Sequence, residues 1–415
     1  MFQFMTSTKI VFGEGSLDNS LTLLNQFGYS ALLLTGEDSQ RSESIIRYFK
    51  QQNIRYQQVA ILGEPMIAMI EELAAKGRKL NPEMIIAIGG GSVIDAGKAL
   101  AGLIPNQGSV YDYIEVVGRN MPLRAEPLPF IAIPTTAGTG AEVTQNAVLK
   151  SAQENVKVSI RNPEMLPNLA IIDPTLTYGM DKSLSGRTGM DAFVHLVESY
   201  VCGEPNPITD MICEEGLRRF SSAILLACED DNPRARSDMS FVAMLGGMAL
   251  TNAKLGAAHA LASSLGGRIS APHGLITAEL SPYVMQENID AATEAGRSDI
   301  LNRYRQLSVL LTGRMDADVD DCILWTSRLL KRLELGTLVE YGLCEVNLDQ
   351  VANDALRANA IRGNPIPLNQ QRLKNILQQA SILCPFERNQ EQSSAQQCKK
   401  DQVINHDSTP QLGNI

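Results

Sequence analysis

The chain has 415 residues, 44 % hydrophobic and 20 % charged, a composition that excludes a wholly disordered or collagen-like chain; at roughly 150 residues per domain it predicts two domains, or one large one with a satellite. Acidic residues outnumber basic ones 46 to 36, for a formal charge of −10, and no Lys/Arg block is present, which disfavours a nucleic-acid binder. No apolar stretch of about 18 residues lacks charges or breakers, so no transmembrane helix is predicted.

The N-terminal stretch MFQFMTSTKIVFGEG has no basic start followed by an apolar core, so no secretory signal is expected. Strands are predicted at 9–12, 31–35, 58–62, 84–88, 130–133 and 169–172, with helical patterns near 16–27, 39–52, 66–78 and 93–104. Strands alternating with helices predict a parallel sheet covered on both faces. After Asp173-Pro174 the pattern changes to long Ala-, Leu-, Met-, Arg- and Glu-rich segments at 192–201, 208–228, 237–265, 299–311 and 320–333, which read as helices. The expected division is 1–175 α/β and 176–386 helical. Residues 387–415 are rich in Gln, Asn and Ser, too poor in apolar surface to offset their ordering entropy, and are expected to be disordered. Seven scattered cysteines without a CxxC predict free thiols, mostly buried, in a reducing cytoplasm.

Two loops carry binding chemistry. In MIIAIGGGSVIDAGKAL a strand runs through Gly89-Gly90-Gly91-Ser92 into a helix. Glycines allow close backbone approach, and a helix start offers free N–H groups and a positive dipole end suited to phosphate. Ser92 with Asp95 also has the spacing of a capping box, so a capped helix without ligand fits the same residues. The segment is not GxGxxG. The second loop, IPTTAGTGAEVT, follows a strand and supplies the hydroxyls of Thr135, Thr136 and Thr139, placed where open α/β sheets bind ligands; a polar surface turn is the alternative. Lys157, in VKVSI, is read either as a cofactor contact or as a snorkelling strand lysine. The segments 110–120 and 146–156 are read as loops walling a cleft.

The chain has four histidines, and three of them, His195, His259 and His273, fall in the helical half; the fourth, His406, lies in the tail. Asp191 and His195 in GMDAFVHLVESY are four apart, on one helix face. His259 is flanked by small residues in LGAAHALASSL, and His273 lies beside Pro272 and Gly274 at a turn or helix edge. One carboxylate and three imidazoles suit Fe(II) or Zn(II) better than Mg or Ca. Taken alone, Asp191 and His195 also fit an ordinary helix ion pair.

These segments resemble the iron-containing, or group III, alcohol dehydrogenase family. The likeness spans residues 5–382 and rests on GGGSVIDAGKA, IPTTAGTGAEVT, LAIIDPTLT, GMDAFVHLVESY, GAAHALA and APHG, in the family's order. The resemblance implies the dehydroquinate synthase-like fold, with an N-terminal Rossmann-like α/β domain, an all-helical C-terminal domain and the site in the cleft. It implies iron, or zinc, on Asp191, His195, His259 and His273. It implies the pyrophosphate of NAD or NADP on Gly90, Gly91 and Ser92, with further cofactor contacts from Thr135, Thr136, Thr139 and Lys157. A homodimer or larger homo-oligomer is implied as well.

Two residues depart from the family pattern. Ser263 stands where many members have a second histidine that helps relay protons, so either transfer through Ser263 and water or a low activity is expected. Gly36 stands where NAD-preferring relatives often have Asp, removing a charge that would repel a 2′-phosphate, and Arg41 is near enough in sequence to pair with one; an ordinary turn glycine is the alternative reading of Gly36. The expected function is therefore metal-dependent hydride transfer between an alcohol or aldehyde and NAD(P), falling off in acid because ligand imidazoles must be neutral. A dehydroquinate synthase-like or glycerol dehydrogenase-like activity, or an inactive nucleotide-binding relative, are the alternatives. A lyase of the synthase type would need a Lys/Arg cluster around a phosphate-bearing substrate, and Lys254 and Arg268 are the nearest bases in sequence.

Overall fold

The computed structural model describes residues 2–382 apart from 8 and 155. The predicted tail at 387–415, with Cys398 and His406, lies outside the described residues, as does Cys384.

The strands are β1 (Ile10–Phe12), β2 (Ser30–Thr35), β3 (Arg55–Ala60), β4 (Met84–Gly89), β5 (Phe130–Pro134), β6 (Asn146–Ser151), β7 (Val156–Arg161) and β8 (Leu169–Ile172). The α-helices in the same half are α1 (Ser16–Ser20), α2 (Glu43–Gln52), α3 (Ile67–Leu80), α4 (Gly91–Leu103) and α5 (Val110–Tyr113). Six strands form one sheet in the order β1-β8-β5-β4-β2-β3, and every pair in it is parallel. Side chains alternate between two buried faces, as strand geometry requires. Leu32, Leu34, Ile85, Ala87, Phe130 and Ala132 pack into one apolar cluster. Ala31, Leu33, Met84, Ile86, Ile88, Ile131 and Ile133 pack into the other. Burial on both faces explains why these strands read as continuous apolar runs.

All six predicted sheet strands are present. The third begins at Arg55, three residues before its expected start, because it is an exposed edge strand whose ladder with β2 starts at Arg55 opposite Ser30. The expected loop at 146–156 is mostly strand: β6 and β7 form an antiparallel hairpin that buries Ala147, Leu149, Val158 and Ile160. Its inward alternation is interrupted by the polar turn between the strands, which hid it in the sequence. Within 110–120, Val110–Tyr113 is a short helix whose start carries a complete Ser109–Asp112 capping box.

The second half is built from helices α6 (Lys182–Val201), α7 (Pro207–Glu229), α8 (Pro233–Asn252), α9 (Ala257–Leu265), α10 (His273–Glu294), α11 (Ser298–Thr312), α12 (Asp321–Leu333), α13 (Leu348–Ala355) and α14 (Gln370–Ala380). Helix α6 is its axis: α7, α8 and α10 pack around it, and every residue from Gly189 to Val201 is buried. The predicted helix 237–265 is in fact two, α8 and α9, turned by 96° at residues 253–256. That bend carries His259 back toward α6. No single helix among the described residues is long and apolar enough to cross a membrane. Cys202, Cys213, Cys228 and Cys322 are buried free thiols and Cys344 is an exposed one.

Candidate active site

The glycine turn and the threonine loop, separate in sequence, meet at the C-terminal ends of β4 and β5. Thr135 N–H donates to the Gly89 carbonyl at 3.0 Å. A β-carbon on Gly90 would lie 3.5 Å from Thr136 Oγ1, and one on Gly91 only 2.8 Å from Thr139 Oγ1. The capping box expected from Ser92 and Asp95 does not form. Helix α4 starts at Gly91 with Gly90, which has no side chain, as its cap residue, so Ser92 lies inside the helix and no side chain caps it; Asp95 is turned inward, 3.9 Å from the buried Lys98. The helix start therefore keeps its free N–H groups for an anion.

The threonine loop also reaches the helical half. Gly140 sits at φ 62° and packs so closely on α8 that a β-carbon would fall 2.4 Å from the Ala243 carbonyl. Gly138 packs on Thr188 of α6. This contact brings the candidate cofactor loops beside the helices that carry the aspartate and the histidines.

There Asp191, His195 and His259 each offer a ligand atom within 4.8 Å of the others, all three residues buried. His259 Nε2 is 3.9 Å from Asp191 Oδ1. The His195 and His259 rings stack with centroids 4.5 Å apart. His273, the first residue of α10, is more open: its side chain is 32 % exposed and its Nε2 lies 3.7 Å from Asp191 Oδ1. The structure thus draws three of the four expected ligands into a tight set and leaves the fourth on its accessible side. Thr277, one turn along α10, donates its hydroxyl to Asp191 Oδ1 at 3.1 Å.

The electrostatics suit a cation. Burial alone would raise the Asp191 carboxyl, but the three imidazoles and the Thr277 bond outweigh it and hold it below its usual range. Burial pushes His195 down to about 4 and His273 down to about 3, so both are neutral near pH 7, the form that ligates. His259 differs: burial would lower it, but the bond and charge of Glu198, with the charge of Asp191, leave it raised. One buried nitrogen on each ring, Nδ1 of His195 and of His273 and Nε2 of His259, has no hydrogen-bond partner. Of these, Nε2 of His259 faces Asp191; a buried nitrogen left so is costly, and the donor set of one anionic oxygen and three imidazoles fits a divalent transition metal.

The remaining expected residues are placed as follows. Lys157 is not snorkelling: its side chain is 9 % exposed and its ammonium pairs with Glu64. Its stem lies over Gly266, where a β-carbon would come 3.1 Å from Cε, and its charge helps push His273 down. Ser263 is half-buried and donates its hydroxyl to the His259 carbonyl at 2.9 Å. Gly36 follows the end of β2, beside Val93. The Arg41 guanidinium is spent on the Thr135 and Leu176 carbonyls, a use its sequence position did not reveal. The bases weighed for a lyase are engaged elsewhere, Lys254 with Glu204 and Arg268 with Asp354.

Sequence reasoning missed Glu198. Its carboxylate is 2.7 Å from His259 Nδ1. The signal was present, since Glu198 follows His195 by three residues and Asp191 by seven, a spacing that keeps it on the same helix face.

Comparisons with known proteins identify the family. The iron-containing alcohol dehydrogenase model matches residues 7–174, and the C-terminal model of the Fe-containing alcohol dehydrogenase family matches residues 186–381. The chain belongs to the iron-containing alcohol dehydrogenase family. It is 30 % identical to alcohol dehydrogenase 4 of Saccharomyces cerevisiae over 376 residues, covering 89 % of this chain and 96 % of the yeast protein. It is 29 % identical to an NADPH-dependent butanol dehydrogenase of Clostridium saccharobutylicum, covering 92 % and 97 % of the two chains. Among solved structures, a 1,3-propanediol oxidoreductase superposes with a TM-score of 0.83 at 28 % identity, covering 92 % of this chain and all of the other.

Proposed function

We propose that this enzyme transfers a hydride between a small alcohol or aldehyde and NAD(P), at a metal held by Asp191, His195, His259 and His273. The observation that carries this reading is the convergence of Asp191, His195 and His259 within 4.8 Å, beside an uncapped helix start and a threonine loop. When bound, the metal supplies Lewis acidity toward the substrate oxygen and the nicotinamide supplies hydride chemistry.

The protein's own part is placement and charge. Asp191 is the single anionic ligand, oriented by Thr277, and the neutral imidazoles complete the set. Gly90, Gly91 and Ser92 offer backbone to the cofactor pyrophosphate. Thr135, Thr136 and Thr139 line the same approach, and Lys157, whose charge reaches His273, is the further cofactor contact. Ser263 already donates its proton to a carbonyl, so its lone pairs accept, but it must rotate to pass a proton on. Proton transfer is then slower at neutral pH than through an imidazole, and the optimum moves into the alkaline range.

Gly36 brings no carboxylate to the end of β2, and the butanol dehydrogenase relative is named for NADPH; both favour acceptance of NADP as well as NAD. A division near residue 175, a homodimer or larger homo-oligomer and a cytoplasmic location complete the reading. The test is a screen of alcohols and aldehydes with NAD and NADP on metal-loaded protein. Turnover with either nicotinamide is expected, and none with any substrate would refute the assignment.

A further inference from the structure

Glu198 stands at an unusual crossing of contacts. One of its oxygens, Oε1, accepts the Ala258 N–H at 2.7 Å. The other, Oε2, accepts the Gly256 N–H at 2.9 Å and lies 2.7 Å from His259 Nδ1. The side chain is only 6 % exposed. Helix α9 begins at Ala257 and has no side-chain cap from its own N-cap residue, Gly256. Glu198 supplies that cap from α6, and Asn364 Oδ1 takes the Ala257 N–H between the two at 3.1 Å. Asn364 is held in turn by Asn288, which donates at 3.4 Å and accepts at 2.6 Å.

A carboxylate only accepts hydrogen bonds. With both oxygens already facing backbone donors, the third polar partner has to donate, so His259 carries its proton on Nδ1. Its lone pair is then on Nε2, the buried nitrogen without a partner that faces Asp191 at 3.9 Å. The same carboxylate fixes where α9 starts, and His259 is the third residue of that helix. Ring position, ring orientation and tautomer are therefore set by one side chain.

We infer that Glu198 is a positioning residue that holds His259 in the Nδ1–H tautomer, with Nε2 directed to the metal, before any metal binds. The inference rests on the metal site proposed above and adds the group that presets it. Outer partners of ligating histidines of this kind change metal affinity by about ten- to a hundredfold when removed.

With only four histidines in the chain, selective ¹⁵N-histidine labelling allows the tautomer to be read directly by NMR in metal-free, full-length protein. At alkaline pH, where the ring is neutral, wild type is expected to show His259, identified by its loss in His259→Gln, as the Nδ1–H form with a hydrogen-bonded proton. Glu198→Gln offers one acceptor oxygen where three donors converge. It is expected to lose that signature or mix the tautomers, and to bind Co(II) about ten- to a hundredfold more weakly, with circular dichroism unchanged. An Nε2–H or freely exchanging His259 in wild type overturns the inference even if the variant fails to fold. So does Glu198→Gln protein that keeps the wild-type tautomer and Co(II) affinity. If wild type shows the predicted tautomer yet binds no Co(II), the proposed metal function fails while the Glu198 assignment stands.

Discussion

Gly274 lies against the carbonyl of Arg187 so closely that a β-carbon there would come within 2.3 Å of that oxygen and 3.3 Å of Asp191 Cβ. This contact lets the start of α10 dock on α6 and puts His273 Nε2 3.7 Å from Asp191. Gly274→Ala is expected to push the two helices apart, at a cost of about 1–3 kcal/mol for an overpacked contact, and to weaken metal binding. Urea unfolding and metal titration of the variant measure both. Wild-type affinity with wild-type stability would show that α10 docks by other means.

The end of β2 has room for the acid that the chain lacks. A β-carbon on Gly36 would meet nothing closer than Val93 Cγ2 at 3.9 Å, so Gly36→Asp should fold normally. The new carboxylate would repel a 2′-phosphate and leave a 2′-hydroxyl a partner. The kcat/KM ratio of NADP to NAD is expected to fall by about tenfold or more, the equivalent of ~1.4 kcal/mol. An unchanged ratio would mean that the adenosine end lies elsewhere.

Beneath the threonine loop, Glu142 is buried and burial raises its carboxyl to about 7, against an ordinary 4.5, despite the opposing charge of Lys98. A carboxyl whose folded pKa is raised binds more protons folded than unfolded between those values. Stability is then fully present below about pH 4.5 and declines as pH rises toward 7. The displacement amounts to roughly 3 kcal/mol at most. Glu142→Gln removes this decline, so its melting temperature relative to wild type should rise between pH 5 and pH 8. A constant difference across that range would show that Glu142 is not strained by burial.

Ser263 occupies a half-buried place one helical turn beyond His259. Ser263→His is expected to shift the pH optimum of alcohol oxidation from alkaline toward neutral, with KM for the cofactor little changed. A pH–rate profile with the limb unmoved would exclude this position from proton transfer.

Much of the fold was legible because its strands are buried on both faces: Met84–Gly89 and Phe130–Pro134 read as apolar runs bounded by glycine or threonine. The hairpin of β6 and β7 was not, because its inward residues Ala147, Leu149, Val158 and Ile160 are separated by a polar turn. The bend at residues 253–256 was also hidden. Ala, Lys and Leu are good helix formers and Gly256 is the one local break; the rest is tertiary, with Glu198 and Asn364 taking the N–H groups of Gly256, Ala257 and Ala258. The acid and histidines were visible as residue types. Their convergence depends on that bend and on the Gly274 contact, which no local pattern encodes. Glu198 shares a helix face with Asp191 and His195, but its partners come from another helix, and the spacing alone does not name them.

A single metal ion on Asp191 and the three histidines is read out by elemental analysis of protein purified without oxygen. Wild type should carry near-stoichiometric iron or zinc, and His259→Ala should lose it while keeping its helical content. Wild-type protein that holds no metal even after reconstitution would rule out a metal site on these four residues.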